Sequence, residues 1–559
     1  MMTRRVVAGT ICLAVTAMMG PMAARQNSPP KSSPQVQETL RGLIESAHDP
    51  DLRWPDFPLY SPEARKFYEA AGYSLAWIES GKPTPQALAL ISVLQDAGQK
   101  GLDAEDYDGP RWAERVARLH QSPSDSELAR FDAALTISIG RYIAALHLGR
   151  VNPKTIGLEI DVRSEKHDLS RFLRTSLVNA GNPAAVLQEV EPAFAGYRRA
   201  MEALHRYMEL AGQDDGEKLA VTKRPVDPGQ SYPMVPRLAR LLRLLGDLPA
   251  NAEVRAGSDL YGGVLVEAVK RFQERHGLEP DGRLGAETVK QLNRPLSFRV
   301  RQLQLTLERW RWMPHSFSQP PVIVNLPEFR LRATNEQAKV VLSMNVIVGK
   351  AYGHKSPVFQ KEMKYVVFRP YWDVPPTIQR SEMVPNIVKD RSYVARKSLE
   401  VVTPGGQVVT DGTISDEVLQ QLQAGRLRIR QKPGPTNSLG LVKLIFPNDD
   451  NVYLHGTSVP ELFSRSRRDF SHGCIRVEKP ADLAAWALRH NPGWELERVE
   501  AAMNGSEDNV RINLVAPLPV LIAYGTVAVD ESNQVHFFED VYGYDLELER
   551  ALAKGYPYP

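Results

Sequence analysis

Cysteine is nearly absent from this sequence, because only Cys12 and Cys474 occur among 559 residues. Cys12 lies in an N-terminal segment with the layout of a secretory signal, so the mature chain is predicted to keep Cys474 alone. A framework of disulfides is therefore excluded. A lone thiol in an oxidising compartment is either buried and inert, the common fate of a free cysteine, or reactive and functional.

An excess of charge and a long apolar run are also lacking. The formal net charge of +3 is too small to indicate a nucleic-acid partner, and no stretch after the N-terminus is apolar enough to span a membrane. Residues 1–24 combine Arg4 and Arg5, an apolar run over Val6–Met19 and a cleavage site near Ala24. We expect a signal peptide and a periplasmic protein; without cleavage, the segment would hold the chain at the inner membrane.

The remaining sequence is long enough for several domains. Residues 25–37 are rich in proline and serine, which predicts a disordered linker. Helical spacing of apolar residues over 38–215 predicts an all-α scaffold domain. Residues 231–295 show three short helices with apolar faces, which predicts a small domain around one core.

Strand-like alternation replaces the helical pattern after Pro314. Every second residue from Val340 to Val348 is apolar, which predicts a half-buried strand, and similar runs indicate a mostly β domain over 320–498. An insertion at about 378–430 looks helical, and an insertion of that length is typically a lid or a binding loop. Residues 499–559 predict a β-rich extension packing on this domain, so the expected fold class is multidomain α+β.

Candidate chemistry concentrates in VYLHGTSVPELFSRSRRDFSHGCIRV, which holds His455, His472 and Cys474. A thiol is a weak nucleophile until it ionises, and a histidine within hydrogen-bond reach can take its proton. Gly473 lets the backbone approach a substrate closely, and the N–H groups around it could form an oxyanion hole. Three alternatives stay open: an inert Cys474, a structural His455, and a zinc site of His455, His472 and Cys474.

The order His-Gly, a loop, and Ser-His-Gly-Cys-Ile-Arg resembles the L,D-transpeptidase catalytic domain, also called the YkuD domain. The segments VNLPEFRL, VIVGK, PYWDVPPTI, RQKPGPTNSLGLVKLIFPN and EKPADLAAW are similar to the large periplasmic branch of this family. DAALTISIGRYIAALHLGRVNP resembles the scaffold domain of that branch. AVKRFQERHGLEPDGRLGAETVKQLN resembles a three-helix peptidoglycan-binding domain, although the linker GDLPANAEVRAGSDLYGGV is longer than in the compact form.

The resemblance implies a role for each residue of the motif. Cys474 matches the nucleophile and His455 the general base, and Gly456 matches the position whose carbonyl orients that histidine. No metal and no cofactor are implied. His472 and Gly473 match the backbone turn that forms the oxyanion hole together with the nucleophile.

Further positions match supporting roles. Tyr453 matches another active-site contact, while Ser471 and Arg476 match positions that brace the turn. The insertion matches a substrate-capping subdomain, and Trp372 in PYWDVPP is a lid candidate. A lid is expected because a transferase must exclude water from its acyl-enzyme.

The family cross-links peptidoglycan, in cell wall biogenesis and the maintenance of cell shape. The resemblance implies that Cys474 attacks the bond between diaminopimelate and the terminal D-Ala of a tetrapeptide donor stem. The diaminopimelate amine of an acceptor stem then takes the acyl group from the thioester, giving a 3→3 cross-link. Carbapenem-type inhibitors are implied, and peptidoglycan synthases are candidate partners.

Two other functions compete with cross-linking. An L,D-carboxypeptidase or endopeptidase would use the same nucleophile and let water take the acyl group. A catalytically silent wall-binding scaffold is the alternative from a different class, and the intact motif argues against it.

Overall fold

The computed structural model describes residues 32–162, 168–255 and 257–558. The predicted signal peptide lies outside these residues, and so does most of the predicted linker over 25–37. The last residues of that linker are helical, however, because helix α1 begins at Pro34. Proline is well suited to the first position of a helix, and the Ser33 side chain accepts a hydrogen bond from the N–H of Val36. The expectation of a linker was wrong at this end.

Helices form the N-terminal domain, as predicted, apart from one short hairpin. The longest helix, α5, starts at a capping box between Ser124 and Glu127 and is buried over most of its length. The described helices are α1 Pro34–Ser46, α2 Ser61–Ala70, α3 Pro85–Gln95, α4 Trp112–Leu119, α5 Asp125–Leu148, α6 Leu169–Phe172, α7 Pro183–Leu187 and α8 Ala195–Gln213. Strands β1 Ile78–Glu79 and β2 Lys82–Pro83 pair antiparallel.

The second domain is built on three helices, as the spacing predicts: α9 Val235–Leu244, α10 Val264–Arg275 and α11 Ala286–Leu292. Leu238, Leu242 and Phe272 lie in their common core. The long linker contributes to that core, because Tyr261 is fully buried and its hydroxyl donates to the Gly282 carbonyl at 2.6 Å. Helix α12 Leu296–Arg311 then packs against α8 and leads into the C-terminal half.

Strands dominate the C-terminal half. Those that the structure describes are β3 Val322–Asn325, β4 Arg330–Thr334, β5 Val340–Gly349, β6 Phe359–Phe368, β7 Trp372–Asp373, β8 Leu399–Val402, β9 Val408–Thr410, β10 Arg428–Gln431, β11 Val442–Ile445, β12 Leu454–His455, β13 Asp469–Ser471, β14 Ile475–Val477, β15 Val510–Ala523, β16 Val527–Val529 and β17 Val535–Phe537. The helices are α13 Pro376–Ile378, α14 Val384–Lys389, α15 Tyr393–Arg396, α16 Asp416–Gln423, α17 Pro480–Ala487, α18 Leu496–Asn504 and α19 Tyr544–Leu552.

The main sheet of this half has the order β13-β5-β14-β12-β11-β6-β15-β3-β4 within the described residues. It closes on itself, because β4 also pairs with β5. Alternate side chains of its strands point into one large apolar core. No helix of the described ranges is both long and apolar enough to cross a membrane.

The insertion is a small mixed domain and not purely helical. Strands β7, β10, β8 and β9 form their own sheet in that order, and helices α13 to α16 surround it. Ile387, Leu399, Leu422 and Ile429 are buried in a separate core. Helical spacing dominates the sequence of this segment, while its strands are only two to four residues long and give a weak pattern.

Residues 499–559 are not an extension that packs on the outside of the sheet. Strand β15 lies inside it, antiparallel to β6 and parallel to β3. Its residues Leu518, Val520 and Ile522 belong to the main core, and α19 follows as a helix. Strand partners that are far apart in the sequence leave no local signal, which explains why the pattern alone did not place β15.

Candidate active site

The central strands of the main sheet bring the motif residues together. Strands β12 and β14 run parallel, with Leu454 opposite Ile475 and His455 opposite Arg476. Leu454 and Ile475 point into the apolar core, so His455 and Arg476 point to the opposite face. Tyr453 and Cys474 directly precede strands β12 and β14. Both line the same groove as His455.

A groove of about 600 Å³ lies over this face, between the sheet and the insertion. Its floor includes Cys474, His455 and Tyr453, and its far wall comes from the insertion. The insertion residues that line it are Trp372, Ile378, Glu382, Met383, Arg428 and Ile429. The predicted nucleophile, base and lid candidate thus meet in one cavity.

The sulfur of Cys474 lies at the floor of the groove and donates a hydrogen bond to the carbonyl of Asn451 at 3.7 Å. Burial raises the pKa of the Cys474 thiol above its usual value. Hydrogen bonding from the backbone and hydroxyl of Tyr453, and the charge of Arg476, lower that pKa in part. At rest the Cys474 side chain is therefore a protonated thiol, and it would need a base to act as the predicted nucleophile.

His455 is suited to be that base. Its side chain is buried, and burial lowers the pKa of the imidazole to about 3, helped by the positive charges of Arg476 and Lys443. The ring is therefore neutral at pH 7, which is the protonation state that a base requires, although so low a pKa makes it a weak base in this structure. The Tyr453 ring lies 5.7 Å from it, centroid to centroid.

Gly456 directly follows His455 in the sequence, and its backbone affects the environment of the imidazole. Burial lowers the pKa of His455, whereas the backbones of Gly456 and Leu439 raise it. Neither backbone carbonyl meets the geometry of a hydrogen bond to Nδ1 of His455. A Cβ atom at Gly456 would lie 3.3 Å from the carbonyl oxygen of Leu439. Glycine is therefore favoured here by a close backbone approach.

The turn before the nucleophile is braced by Ser471. Its hydroxyl donates to the carbonyl of Cys474 at 2.5 Å and accepts from the N–H of Gly473 at 3.2 Å. Gly473 has a φ of +118°, which strongly favours glycine. The N–H of Gly473 is therefore already engaged by the Ser471 hydroxyl.

A second brace behind this turn has no signal in the sequence. The hydroxyl of Ser356, a fully buried residue, donates to the Gly473 carbonyl at 2.6 Å. The hydroxyl of Tyr542 accepts from the N–H of Ser356 and donates to the Gly349 carbonyl at 2.6 Å. These residues come from separate strands and loops, so only the fold brings them to the turn.

His472 is turned away from the thiol, toward the insertion. Its Nε2 lies 2.7 Å from a carboxylate oxygen of Glu382, and its ring packs edge-on against His354 at 4.7 Å. Across residues 32–162, 168–255 and 257–558, no group of three or more His, Cys, Asp or Glu side chains is arranged to hold a metal ion. His472 links the nucleophile turn to the capping domain instead.

Arg476 does not brace the turn by hydrogen bonds, contrary to the expectation from the motif. Its buried Nε has no hydrogen-bond partner among the residues that the structure describes, and its side chain lines the groove. Lys443 on β11 lies opposite His455 and also lines the groove. Lys443 lies within the segment RQKPGPTNSLGLVKLIFPN, but only the strand register places it beside the histidine.

Comparisons with known proteins agree with this arrangement of domains. Residues 62–204 match the family model of a scaffold domain, residues 231–292 that of a "Putative peptidoglycan binding domain", and residues 320–511 that of the L,D-transpeptidase catalytic domain, YkuD. A protein of Haemophilus influenzae described as "Putative L,D-transpeptidase" is 28% identical over 252 residues. That alignment takes in 45% of this chain and 50% of the relative, so the chain matches half of the relative's length.

A solved structure was also found by similarity. The crystal structure of the L,D-transpeptidase (residues 123-326) from Xylanimonas cellulosilytica is 17% identical, and the match covers 54% of this chain and 99% of that one. Its TM-score is 0.17, which is too low to carry an argument about the fold.

Proposed function

We propose that this chain is an enzyme that transfers peptide acyl groups in peptidoglycan, because residues 320–511 match the family model of the L,D-transpeptidase catalytic domain. One observation carries the proposal: a neutral, buried His455 and the Cys474 thiol line the floor of the same groove. A thiol and a neutral imidazole are the pair that covalent acyl transfer requires.

The reaction begins on a donor stem. His455 takes the proton of Cys474 as the sulfur attacks the carbonyl between diaminopimelate and D-Ala. The N–H of Cys474 lies at the turn where a developing oxyanion would be stabilised. The C–N bond breaks, the imidazolium returns the proton to the D-Ala nitrogen, and a thioester remains.

The second half of the reaction forms the cross-link. The diaminopimelate amine of an acceptor stem attacks the thioester and loses a proton to His455, and the thiol leaves. The product is a 3→3 cross-link. Water competes with the amine, and the insertion covers the groove with Trp372 and Met383 on its wall, which supports transfer over hydrolysis.

The other domains support action at the cell wall. A peptidoglycan-binding domain on the same chain would hold the enzyme near its substrate and raise the local concentration of stems. Together with the proposed signal peptide of residues 1–24, this supports a periplasmic location, which we propose for the enzyme. Peptidoglycan synthases are the proposed partners.

The test is incubation of the full chain with tetrapeptide muropeptides, followed by mass spectrometry. The wild type should yield 3→3 dimers, and Cys474→Ala should lower their rate at least about 1,000-fold, because the nucleophile is lost. Ser464→Ala is the matched control and should keep the wild-type rate, since this exposed hydroxyl contacts only the carbonyl of Glu461. Trimmed monomers without dimers would contradict transfer and favour the carboxypeptidase.

Covalent labelling separates an enzyme from a silent wall-binding scaffold. A carbapenem should add its mass to the wild type at Cys474 and leave Cys474→Ala unlabelled. An unlabelled wild type would contradict the proposed nucleophile.

A further inference from the structure

Two positively charged side chains lie on either side of His455, the proposed base, on the neighbouring strands of the sheet. Lys443 on β11 and Arg476 on β14 are each the register partner of His455 on β12, one on either side. Register partners project from the same face at the same level, so all three side chains rise into the groove.

Neither cation has a counter-charge in the described part of the chain. Lys443 and Arg476 make no hydrogen bond or ion pair there, and the buried Nε of Arg476 has no partner. Asp373, on the groove wall, raises the pKa of Lys443 by its charge but lies too far away for an ion pair. The other carboxylate of the groove, Glu382, is bonded to His472.

Lys443 and Arg476 are half-buried, and the fully buried arginines elsewhere in the described residues have partners: some form ion pairs, and Arg141, Arg299 and Arg468 donate hydrogen bonds to carbonyl or amide oxygens instead. Arg275 pairs with Asp247, and Arg309 pairs with Asp545. An unpaired charge that is withdrawn from water is costly, and burial lowers the pKa of both Lys443 and Arg476. Two such cations in a groove indicate that the missing negative charge comes from a ligand.

We propose that Lys443 and Arg476 form a carboxylate subsite, which binds the free α-carboxylate of the residue that leaves the donor peptide. The inference rests on the proposed function. His455 must reach the nitrogen of the leaving residue to protonate it, and the α-carboxylate is only two bonds from that nitrogen. It therefore lies beside His455, where the guanidinium and the ammonium can both donate to it.

The subsite has two consequences. The subsite selects donor stems in which the residue to be cleaved off is the last one. In a longer or amidated stem, that residue has no free α-carboxylate and therefore no negative charge. The bound carboxylate also offsets the positive field on His455, so a correct donor makes its base more basic. Recognition of the donor and activation of the base are thereby coupled.

The first test compares a tetrapeptide donor that has a free C-terminal carboxylate with the same donor as a C-terminal carboxamide. Wild type should prefer the carboxylate by about 10- to 100-fold in kcat/KM, the usual range for hydrogen bonds to a charged group. This preference should fall toward one in Lys443→Met and in Arg476→Gln. Lys364→Met removes an exposed lysine of the same sheet outside the groove, and should keep the full preference.

A second measurement does not depend on turnover. Iodoacetate carries a carboxylate and iodoacetamide does not, so the ratio of their rates at Cys474 reports the subsite directly. Mass spectrometry of the Cys474 peptide should give a ratio at least about tenfold above that of N-acetylcysteine. The ratio should fall in Lys443→Met and Arg476→Gln, and hold in Lys364→Met.

The outcomes separate the two proposals. A wild type that turns over both donors equally, with an alkylation ratio like that of N-acetylcysteine, overturns the subsite and leaves the enzyme activity standing. A wild type that turns over neither donor but prefers iodoacetate overturns the proposed function and supports an anion site. A ratio unchanged in both variants overturns the assignment of these two residues.

Discussion

At the scale of single residues, burial keeps the two side chains of the proposed catalytic pair uncharged. Cys474 and His455 are both neutral at rest, because the protein around them penalises thiolate and imidazolium alike. The pair is therefore expected to act by proton transfer during attack, and not as a preformed ion pair. Hydrogen bonding from Tyr453 lowers the pKa of the Cys474 thiol, and this reduces the free-energy cost of forming the thiolate.

The pH dependence of Cys474 alkylation tests this state. The pKa of the thiol is raised, so thiolate forms only at alkaline pH, and its fraction grows tenfold with each unit below that pKa. The rate with iodoacetamide should therefore rise about tenfold per unit from pH 6 to pH 9. A rate that levels off between about pH 5 and pH 8 would show a thiolate–imidazolium pair and contradict the resting state described above.

Tyr453→Phe extends the same measurement. Loss of the hydroxyl removes a group that lowers the thiol pKa, so the alkylation curve should shift to higher pH. Tyr365→Phe, on β6 and outside the groove, is the matched control and should leave the curve in place.

At the scale of elements, a hydrogen bond between His472 and Glu382 joins the turn that carries Cys474 to the insertion. Glu382 lies in a π-helical turn over Gln379–Met383, at the start of the insertion, and bonds His472 at 2.7 Å. His472 is two residues from Cys474. The position of the cap is therefore linked to the turn that carries the sulfur.

Glu382→Gln tests what this contact does. The amide keeps the shape of the side chain but loses the charge, so the cap should open more often and admit water. We expect the ratio of hydrolysed monomers to dimers to rise several-fold, as measured by mass spectrometry of muropeptides.

The matched control is Glu417→Gln, an exposed position on α16 of the same insertion. Its ratio should equal that of the wild type. An unchanged ratio in Glu382→Gln would mean that the contact does not control access of water.

At the scale of the whole molecule, the scaffold and catalytic domains share buried structure. Val151, Leu158 and Ile160, which follow α5, lie in the same core as the strands of the main sheet. At the C-terminus, the hydroxyl of Tyr558 donates to Asp106 of the scaffold domain. The two domains are therefore expected to unfold together.

The carboxylate of Glu308, on α12, links α12 to the segment after α5 where the scaffold and catalytic domains meet. It accepts from the backbone N–H of Arg150 and of Val151, pairs with the Arg150 side chain at 3.2 Å, and lies 3.7 Å from Arg311. All three charged side chains are buried. Removing the carboxylate would leave two arginines without a counter-charge.

Glu308→Ala should therefore lower the free energy of unfolding by about 3–5 kcal/mol. Urea denaturation of the full chain measures the loss, and a single transition is expected for the wild type. Glu531→Ala, at an exposed turn between β16 and β17, is the control and should change stability little. A loss below about 1 kcal/mol in Glu308→Ala would contradict the role of this junction.

The sequence by itself determined the local features of this protein. Helical spacing identified the scaffold and the three-helix domain, alternation identified β5, and the Ser-His-Gly-Cys motif identified Cys474 and His455 as candidates. Each of these signals is carried by residues within one element or one turn, where periodicity and turn chemistry act directly.

Only the tertiary structure decided how distant segments meet. It placed β15 inside the sheet, gave the insertion a sheet of its own, bonded His472 to Glu382, and set Lys443 beside His455. The physical reason is that strand pairing and groove formation depend on register between segments far apart in the chain. A lysine on a strand looks the same in the sequence whichever histidine it will face.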